Sequence, residues 1–375
     1  MTVHFDTLLG TLRTADKYLE VQWKDGTGVS RYPYLWLRDH CHAAHSMNLE
    51  TNQRQVDTFS IPTDLKAKAA ILAEDGQTVS VRWENEERDS IYPISFLKEM
   101  AATGLPKSDD KKSLWTEDEI TDCLPKVSYE EVMAGDEGLK TWVELIHNYG
   151  FGLVEGTPAT PEATEALARR ITYIRETIFG GFWDFTANQA FADSAYSTVE
   201  IGPHTDGTYS VDSPGYQMFH CLEFDGTGGE SVFVDGFRVA EEIRALDPKA
   251  FETLTSVHVP AQYLGDGVHL RAEHPIIGLD RDGELKQIAY NNYDRAPFRL
   301  EDELQEDFYR GLNLFNALIN DRRFQLRFGL RPGRVVLFDN WRVMHARDAY
   351  QGHRRLCGAY LNKEDFLSKL RVLRK

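Results

Sequence analysis

Gly333-Arg334-Val335-Val336-Leu337-Phe338-Asp339-Asn340-Trp341 is the stretch on which the fold turns. Four consecutive apolar residues, Val335 to Phe338, fit a strand buried on both faces, and Asp339-Asn340 supplies the turn that ends it. Downstream, Leu356-Cys357-Gly358-Ala359-Tyr360 reads as another strand, with His345 and Arg354 between the two apolar runs. Upstream, Thr198 to Phe237 is strand-like with glycine turns, and Gln217-Met218-Phe219-His220-Cys221-Leu222-Glu223-Phe224 is its clearest run. Two helices are legible. Thr160 caps the first, Pro161 suits its opening turn, and Leu167, Ile171, Ile174 and Ile178 share one face. In the second, Leu304, Phe308, Leu312, Phe315 and Ile319 recur at helical spacing. Many strands with few helices make the main domain mainly β, a jelly-roll barrel with flanking helices.

Residues 1–100 read as a small β-rich domain. Tyr18-Leu19-Glu20-Val21-Gln22-Trp23 alternates, Lys24-Asp25-Gly26 turns the chain, and Thr78-Val79-Ser80-Val81-Arg82-Trp83 repeats the alternation. Residues 101–138 are polar and include Lys107-Ser108-Asp109-Asp110-Lys111-Lys112. They are expected to be a linker or wrapping segment leading into a main domain of residues 139–375. No internal repeat or low-complexity tract is evident.

The 375 residues, 42% of them hydrophobic, suit one large domain or two. No apolar run reaches the ~18 residues of a spanning helix. Met1 to Gly10 lacks an apolar signal core and an arginine-rich presequence, which points to the cytoplasm of a bacterium. A formal charge of −17 argues against nucleic acid as a partner and leaves room for a cationic substrate. Cys41, Cys123, Cys221 and Cys357 have no regular spacing, so no disulfide framework is expected.

His204-Thr205-Asp206 is the first chemical signal. On a strand, side chains two residues apart face the same side, here an imidazole and a carboxylate. With a distant histidine they make a facial triad that leaves open positions on ferrous iron. Alone the motif is weak: with 12 histidines in the chain, about one His-x-Asp arises by chance. His4-Phe5-Asp6 is another, discounted because a terminus offers no scaffold. His345, after the buried strand, supplies the third ligand. Arg354 brings a guanidinium able to grip a carboxylate with two hydrogen bonds. Satisfied core histidines and a structural ion pair would account for each residue singly, but not for this combination in this order.

The chain resembles the γ-butyrobetaine and trimethyllysine hydroxylases, a branch of the taurine-dioxygenase-like oxygenases. Besides His204-Thr205-Asp206, the resemblance rests on Trp36-Leu37-Arg38-Asp39-His40-Cys41, Ile174-Arg175-Glu176-Thr177-Ile178 and Phe219-His220-Cys221-Leu222. Asn291-Asn292-Tyr293-Asp294-Arg295 and Asp339-Asn340-Trp341-Arg342-Val343-Met344-His345 extend it over nearly the whole chain. It implies a double-stranded β-helix behind the small β-rich domain, with Fe(II) as cofactor and 2-oxoglutarate as cosubstrate. The reaction implied is hydroxylation of an unactivated carbon, with succinate and carbon dioxide as co-products. Arg354 falls where the family binds the distal carboxylate of 2-oxoglutarate, and Ser231 where related enzymes carry a threonine beside it.

The resemblance also implies an aromatic cage of Phe179, Trp183, Tyr196 and Tyr360 for a trimethylammonium head. A quaternary ammonium donates no hydrogen bonds and is held best by ring faces. The plainer alternative is four core aromatics, in a chain that is 11% aromatic. Asp193 and Asn292 match positions that meet the anionic end of the substrate. An aspartate at 193 favours N6-trimethyllysine over γ-butyrobetaine. Arg295 would suit 2-(trimethylammonio)ethylphosphonate, or else a surface ion pair. The expected partner is thus a small cationic or zwitterionic substrate, and the family implies a homodimer.

The family's structural zinc is expected to be absent. Of its ligand positions only Cys41 survives, while Ala43, Ser46 and Glu87 stand at the others, and His40, His42 and His45 make a poor tetrahedral substitute. Two rival readings remain: a metal-dependent lyase or isomerase on the same barrel, and a non-catalytic binding protein.

Overall fold

The computed structural model describes residues 8–102, 112–186 and 198–375. The chain divides into two compact units, Met1–Asp109 and Asp110–Lys375. Within the first, the strands Leu9–Thr14, Tyr18–Trp23 and Val29–Pro33 form an antiparallel meander that runs into the helix Tyr34–Asp39. The strands Ala67–Leu72, Thr78–Trp83 and Ser90–Pro93 and the helix Ile94–Glu99 do the same again.

This is an internal repeat, contrary to the expectation of none. Trp23, Ser30, Tyr32, Pro33 and Leu37 recur sixty positions later as Trp83, Ser90, Tyr92, Pro93 and Leu97. In each half the tryptophan Nε1 donates to the serine Oγ at 2.8 Å. The tyrosines cross over: Tyr92 donates to the Leu37 carbonyl at 2.6 Å, and Tyr32 donates to the Leu97 carbonyl. The offset of sixty is constant, but the matching residues are sparse and the stretches between them differ. One buried cluster of Trp23, Trp83, Val21, Val81, Leu37 and Leu97 joins the halves.

The second unit is a double-stranded β-helix. Its larger sheet runs, in order, Ile174–Arg175, Tyr350–Leu361, Tyr216–Gly228, Arg334–Asp339, Phe151–Glu155 and Lys126–Ser128, with Trp183–Thr186 also pairing to Tyr350–Leu361. The smaller sheet runs Ile201–His204, Val343–Arg347, Ser231–Asp235 and Gln325–Phe328. The chain leaves the larger sheet after Asp339, turns through Asn340-Trp341-Arg342, and enters the smaller one at Val343.

Alternation explains the apolar run Val335–Phe338. Val336 and Phe338 join Phe151, Phe233, Val343 and Leu356 in the core between the sheets. Val335 and Leu337 point the other way, under the helices Asp136–Tyr149, Pro161–Ile171 and Lys363–Leu373. The helices Gly236–Leu246, Pro248–Ser256 and Asp302–Ile319 cover the back of the smaller sheet through Val239, Leu254, Phe308 and Phe315.

The first expected helix begins as read, with Thr160 Oγ1 accepting from Ala163 N at 3.2 Å, but it stops at Ile171. Ile174 instead pairs with Leu361 in the sheet. Residues 112–138 are not a bare linker. Thr116 and Ser128 open short helices with reciprocal capping boxes to Glu119 and Glu131, and Trp115 is 2% exposed. Those caps are legible in the polar sequence, which uses its charges at helix starts.

One buried ion pair anchors this segment. Arg342 and Asp235, both with 0% side-chain exposure, pair at 2.7 Å. Arg342 also donates to the carbonyls of Ser113 and Asn148, at 2.6 and 2.8 Å. With its donors satisfied, the pair fastens the segment around Ser113 to the turn before His345. Removing one partner of such a pair costs about 3–5 kcal/mol.

Candidate active site

His204 and His345 reach one another because their strands pair directly, residue opposite residue. His345 also faces Phe233 across the next strand, so its imidazole points between the sheets. Asp206 lies just past the end of its strand. Its N–H donates to Asn340 Oδ1 at 2.9 Å, and Asn340 Nδ2 donates back to the Asp206 carbonyl at 3.0 Å and to the Pro214 carbonyl at 2.9 Å. The Asp-Asn-Trp turn that introduces His345 therefore also sets the backbone of Asp206.

The middle residue of His204-Thr205-Asp206 has its own task. Thr205 N donates to the Tyr290 carbonyl at 2.8 Å, and Tyr290 N donates to Thr205 Oγ1 at 3.0 Å. This ties the segment Asn291–Arg295 beside the site.

Ligand atoms of His204, Asp206 and His345 all lie within 4.8 Å of one another, and among the described residues no other group of three such side chains does so. Asp206 Oδ1 is 3.2 Å from His204 Nε2 and 3.7 Å from His345 Nε2. His204 Nδ1 lies 2.9 Å from the Gly202 carbonyl, so Nδ1 carries the proton and Nε2 offers its lone pair. Burial pushes His345 down to about 3, with the neighbouring His204 adding to the effect, so its imidazole is neutral near pH 7. Burial opposes the charge on Asp206, but His345, His204 and the Tyr360 hydroxyl together hold its carboxyl below the usual range. Burial opposes charge on His204, yet the Asp206 carboxylate beside it raises that imidazole's proton affinity, and a bound cation would compete for the same Nε2. Two imidazoles and one carboxylate on one side of a cavity are the donor set that suits ferrous iron.

The triad opens into a cavity of about 280 Å³. Phe179, Trp183 and Tyr360 line it, as do Arg354 and Ser231. Arg354 is 6% exposed, and its buried Nη1 makes no hydrogen bond. A buried guanidinium nitrogen facing the triad's cavity, with the Ser231 hydroxyl in the same wall, fits the carboxylate of a dicarboxylic cosubstrate. The Trp183 ring lies against the sheet only because position 358 is glycine: a Cβ there would come within 2.3 Å of the ring and 1.9 Å of the Met218 carbonyl.

Other expected residues fall elsewhere. Asn292 is exposed, and Asn291 lines the cavity in its place. Arg295 lines a separate small cavity of about 20 Å³ with Thr208, His274 and Leu312. A shift of one position in this irregular segment turns a side chain away, and no periodicity in the sequence reveals it. Asp193 and Tyr196 lie outside the described residues.

Tyr209, Tyr263, Tyr293, Asp294 and Arg347 line the cavity without having been anticipated. Only Arg347 carried a readable signal: it stands two residues after His345 on a strand, hence on the same face, opposite Ser231. Of the loop with three histidines, the Cys41 thiol is buried and accepts from Ala43 N at 3.4 Å. Near it, Arg38 pairs with Glu86 at 2.8 Å, and its Nη1 donates to Ser46 Oγ at 3.3 Å.

Comparison with known proteins extends beyond these residues. Residues 117–360 match the taurine catabolism dioxygenase TauD, TfdA family, and residues 11–98 match the gamma-butyrobetaine hydroxylase-like N-terminal family. The trimethyllysine dioxygenase of Meyerozyma guilliermondii is 36% identical over 375 residues, covering 95% of this chain and 93% of its own. The human mitochondrial trimethyllysine dioxygenase is 34% identical over 377 residues, covering 96% and 89%. The gamma-butyrobetaine dioxygenase of Pseudomonas sp. strain AK-1 is 32% identical over 365 residues, covering 95% and 94%. With similarity running through both units, the chain belongs to the taurine catabolism dioxygenase TauD, TfdA family and is an iron(II)- and 2-oxoglutarate-dependent dioxygenase.

Proposed function

We propose that this dioxygenase hydroxylates a small trimethylammonium compound, N6-trimethyllysine before the other candidates. The observation that carries this reading is the aromatic wall of the metal-side cavity. Phe179, Trp183 and Tyr360 are joined there by Tyr209 and Tyr263, with Phe179 and Tyr263 edge to face at 5.9 Å between centroids. Such a wall suits a cation that has no hydrogen to donate. Names among the relatives support the substrate class, since two of the three compared above are trimethyllysine dioxygenases.

Asp294 favours the amino acid over its rivals. It lines the cavity near His204 and accepts from Asn291 Nδ2 at 2.8 Å. A carboxylate there receives an α-ammonium group, which N6-trimethyllysine carries and γ-butyrobetaine and the phosphonate lack. Arg295, the residue that recommended the phosphonate, lines the separate cavity.

Bound iron(II) supplies the redox chemistry that couples 2-oxoglutarate decarboxylation to oxidation of a substrate C–H bond. His204, Asp206 and His345 would hold the metal. Arg354 and Ser231 bind the far carboxylate of 2-oxoglutarate and so fix its keto-acid end toward the metal. The aromatic wall excludes water and points one carbon of the substrate at the triad. As a dioxygenase it needs the Arg354 end of the cavity, for which a lyase or isomerase has no use. We further infer a homodimer acting in the cytoplasm, to be checked by light scattering and cell fractionation.

The test is succinate formation by iron-loaded protein with each of the three trimethylammonium compounds and with unmethylated lysine, the product being weighed by mass spectrometry. N6-trimethyllysine should gain one oxygen and unmethylated lysine none. Preference for the phosphonate would overturn the role of Asp294. Turnover of none of them would overturn the cation seat.

A further inference from the structure

Tyr360 does more in this structure than present a ring to the cavity. Its hydroxyl lies 2.7 Å from Asp206 Oδ2, the oxygen that does not face the imidazoles. Oδ1 is the atom near His204 Nε2 and His345 Nε2, at 3.2 and 3.7 Å. The two oxygens of one carboxylate thus have different partners.

The direction of the proton is settled by the neighbour. Gln217 stands directly opposite Tyr360 on the adjacent strand and donates from Nε2 to the Tyr360 hydroxyl oxygen at 3.3 Å. Having accepted that bond, the phenol directs its own hydrogen to Asp206. A relay of Gln217 to Tyr360 to Asp206 results, held at both strands by the sheet.

We propose that Tyr360 is a positioning residue for the metal site. Its hydroxyl retains Oδ2, so Asp206 offers the metal one oxygen rather than two. That preserves the open positions which a chelating cosubstrate and dioxygen both need. The same side chain is a wall of the aromatic seat, with the Trp183 ring 6.2 Å away between centroids at 63°. One residue therefore joins the place where a cation sits to the carboxylate that holds the metal. The reading of the relay does not depend on which substrate the seat accepts.

Apo-protein titrated anaerobically with Co(II), by calorimetry and by the visible absorption of the bound ion, tests this without turnover. Tyr360→Phe keeps the ring and removes only the hydroxyl. It should bind Co(II) about 10- to 100-fold more weakly, with an altered absorption band, as loss of an outer partner of a metal ligand does. Trp183→Phe, which disturbs the seat but not the hydroxyl, should keep the wild-type affinity and spectrum. Gln217→Leu should weaken binding in the same direction as Tyr360→Phe, and it serves in place of that variant if Tyr360→Phe does not fold. Wild-type affinity and spectrum in Tyr360→Phe would overturn the proposal. So would an equal loss in Trp183→Phe, which would mean that any disturbance of the wall loosens the site.

Discussion

His204 and His345 stand directly opposite each other on antiparallel strands, with ring centroids 4.2 Å apart. Facing residues in such a pair have Cβ atoms about 4.5–5.5 Å apart, so both imidazoles reach a common point without a loop having to order. Backbone pairing, not the metal, sets two of the three ligands. His345→Ala should therefore abolish iron binding and cut succinate formation at least ~10³-fold, the scale of a lost metal contribution. The apo variant should unfold with the same transitions as the wild-type apo-protein. Wild-type iron affinity in His345→Ala would remove it from the metal site.

Arg354 offers the second test. Its buried Nη1 has no partner, and burial lowers its proton affinity. An incoming carboxylate answers both. Arg354→Met keeps the bulk and removes the charge. The apparent affinity for 2-oxoglutarate should fall ~10- to 100-fold, corresponding to a charge-assisted hydrogen bond of about 1.5–3 kcal/mol. Metal affinity should not change. If the enzyme were a lyase, turnover would be indifferent to both 2-oxoglutarate and this substitution.

Asn340 is the hidden partner of the site. It accepts from the Asp206 N–H and donates to the carbonyls of Asp206 and Pro214. Asn340→Ala strands these buried groups, each at about 1–3 kcal/mol. A drop in melting temperature together with at least ~10-fold weaker metal binding is expected. Lowered stability with unchanged metal affinity would show that Asn340 supports the turn alone.

How much of this was legible beforehand depends on whether spacing or register decided the question. His204, Asp206 and His345 were readable as a ligand set from residue type, spacing and order, although the strand ends at His204 and the Asn340 turn, not alternation, sets Asp206. The run Val335–Phe338 was readable because two buried faces demand it. Asn291 and Asn292, by contrast, differ by one position in a segment without regular periodicity, where the anchor at Thr205 and the bonds of Asn291 to Asp294 and Tyr293 accompany the one that faces the cavity. Tyr263 enters from the strand His258–Gly265, remote in sequence, so nothing local marks it. The repeat of the N-terminal unit escaped for a related reason. Its signal is a few identical residues at a constant offset of sixty, held in place by cross-links such as Tyr92 to Leu37, with dissimilar residues between them.

A pH-sensitive contribution to stability lies away from the metal, at His220. His220 is fully buried in the sheet, and burial pushes its imidazole down to about 4. Its Nε2 accepts from Gly333 N at 3.1 Å, so Nδ1 donates to Thr164 Oγ1 at 2.7 Å, and Thr164 passes a bond on to the Thr160 carbonyl at 2.9 Å. A second proton on the ring would confront the Gly333 N–H. Unfolded chains take up that proton near pH 6.5 and the folded one near 4, so between those values the unfolded state binds more protons. Stability from this group is complete above pH 6.5 and is lost as the pH falls toward 4, by about 3 kcal/mol in all. His220→Gln, which cannot titrate, should start less stable at pH 7 and show a shallower acid decline in urea unfolding. An unchanged slope between pH 6.5 and 4 would show that His220 is not the group that titrates.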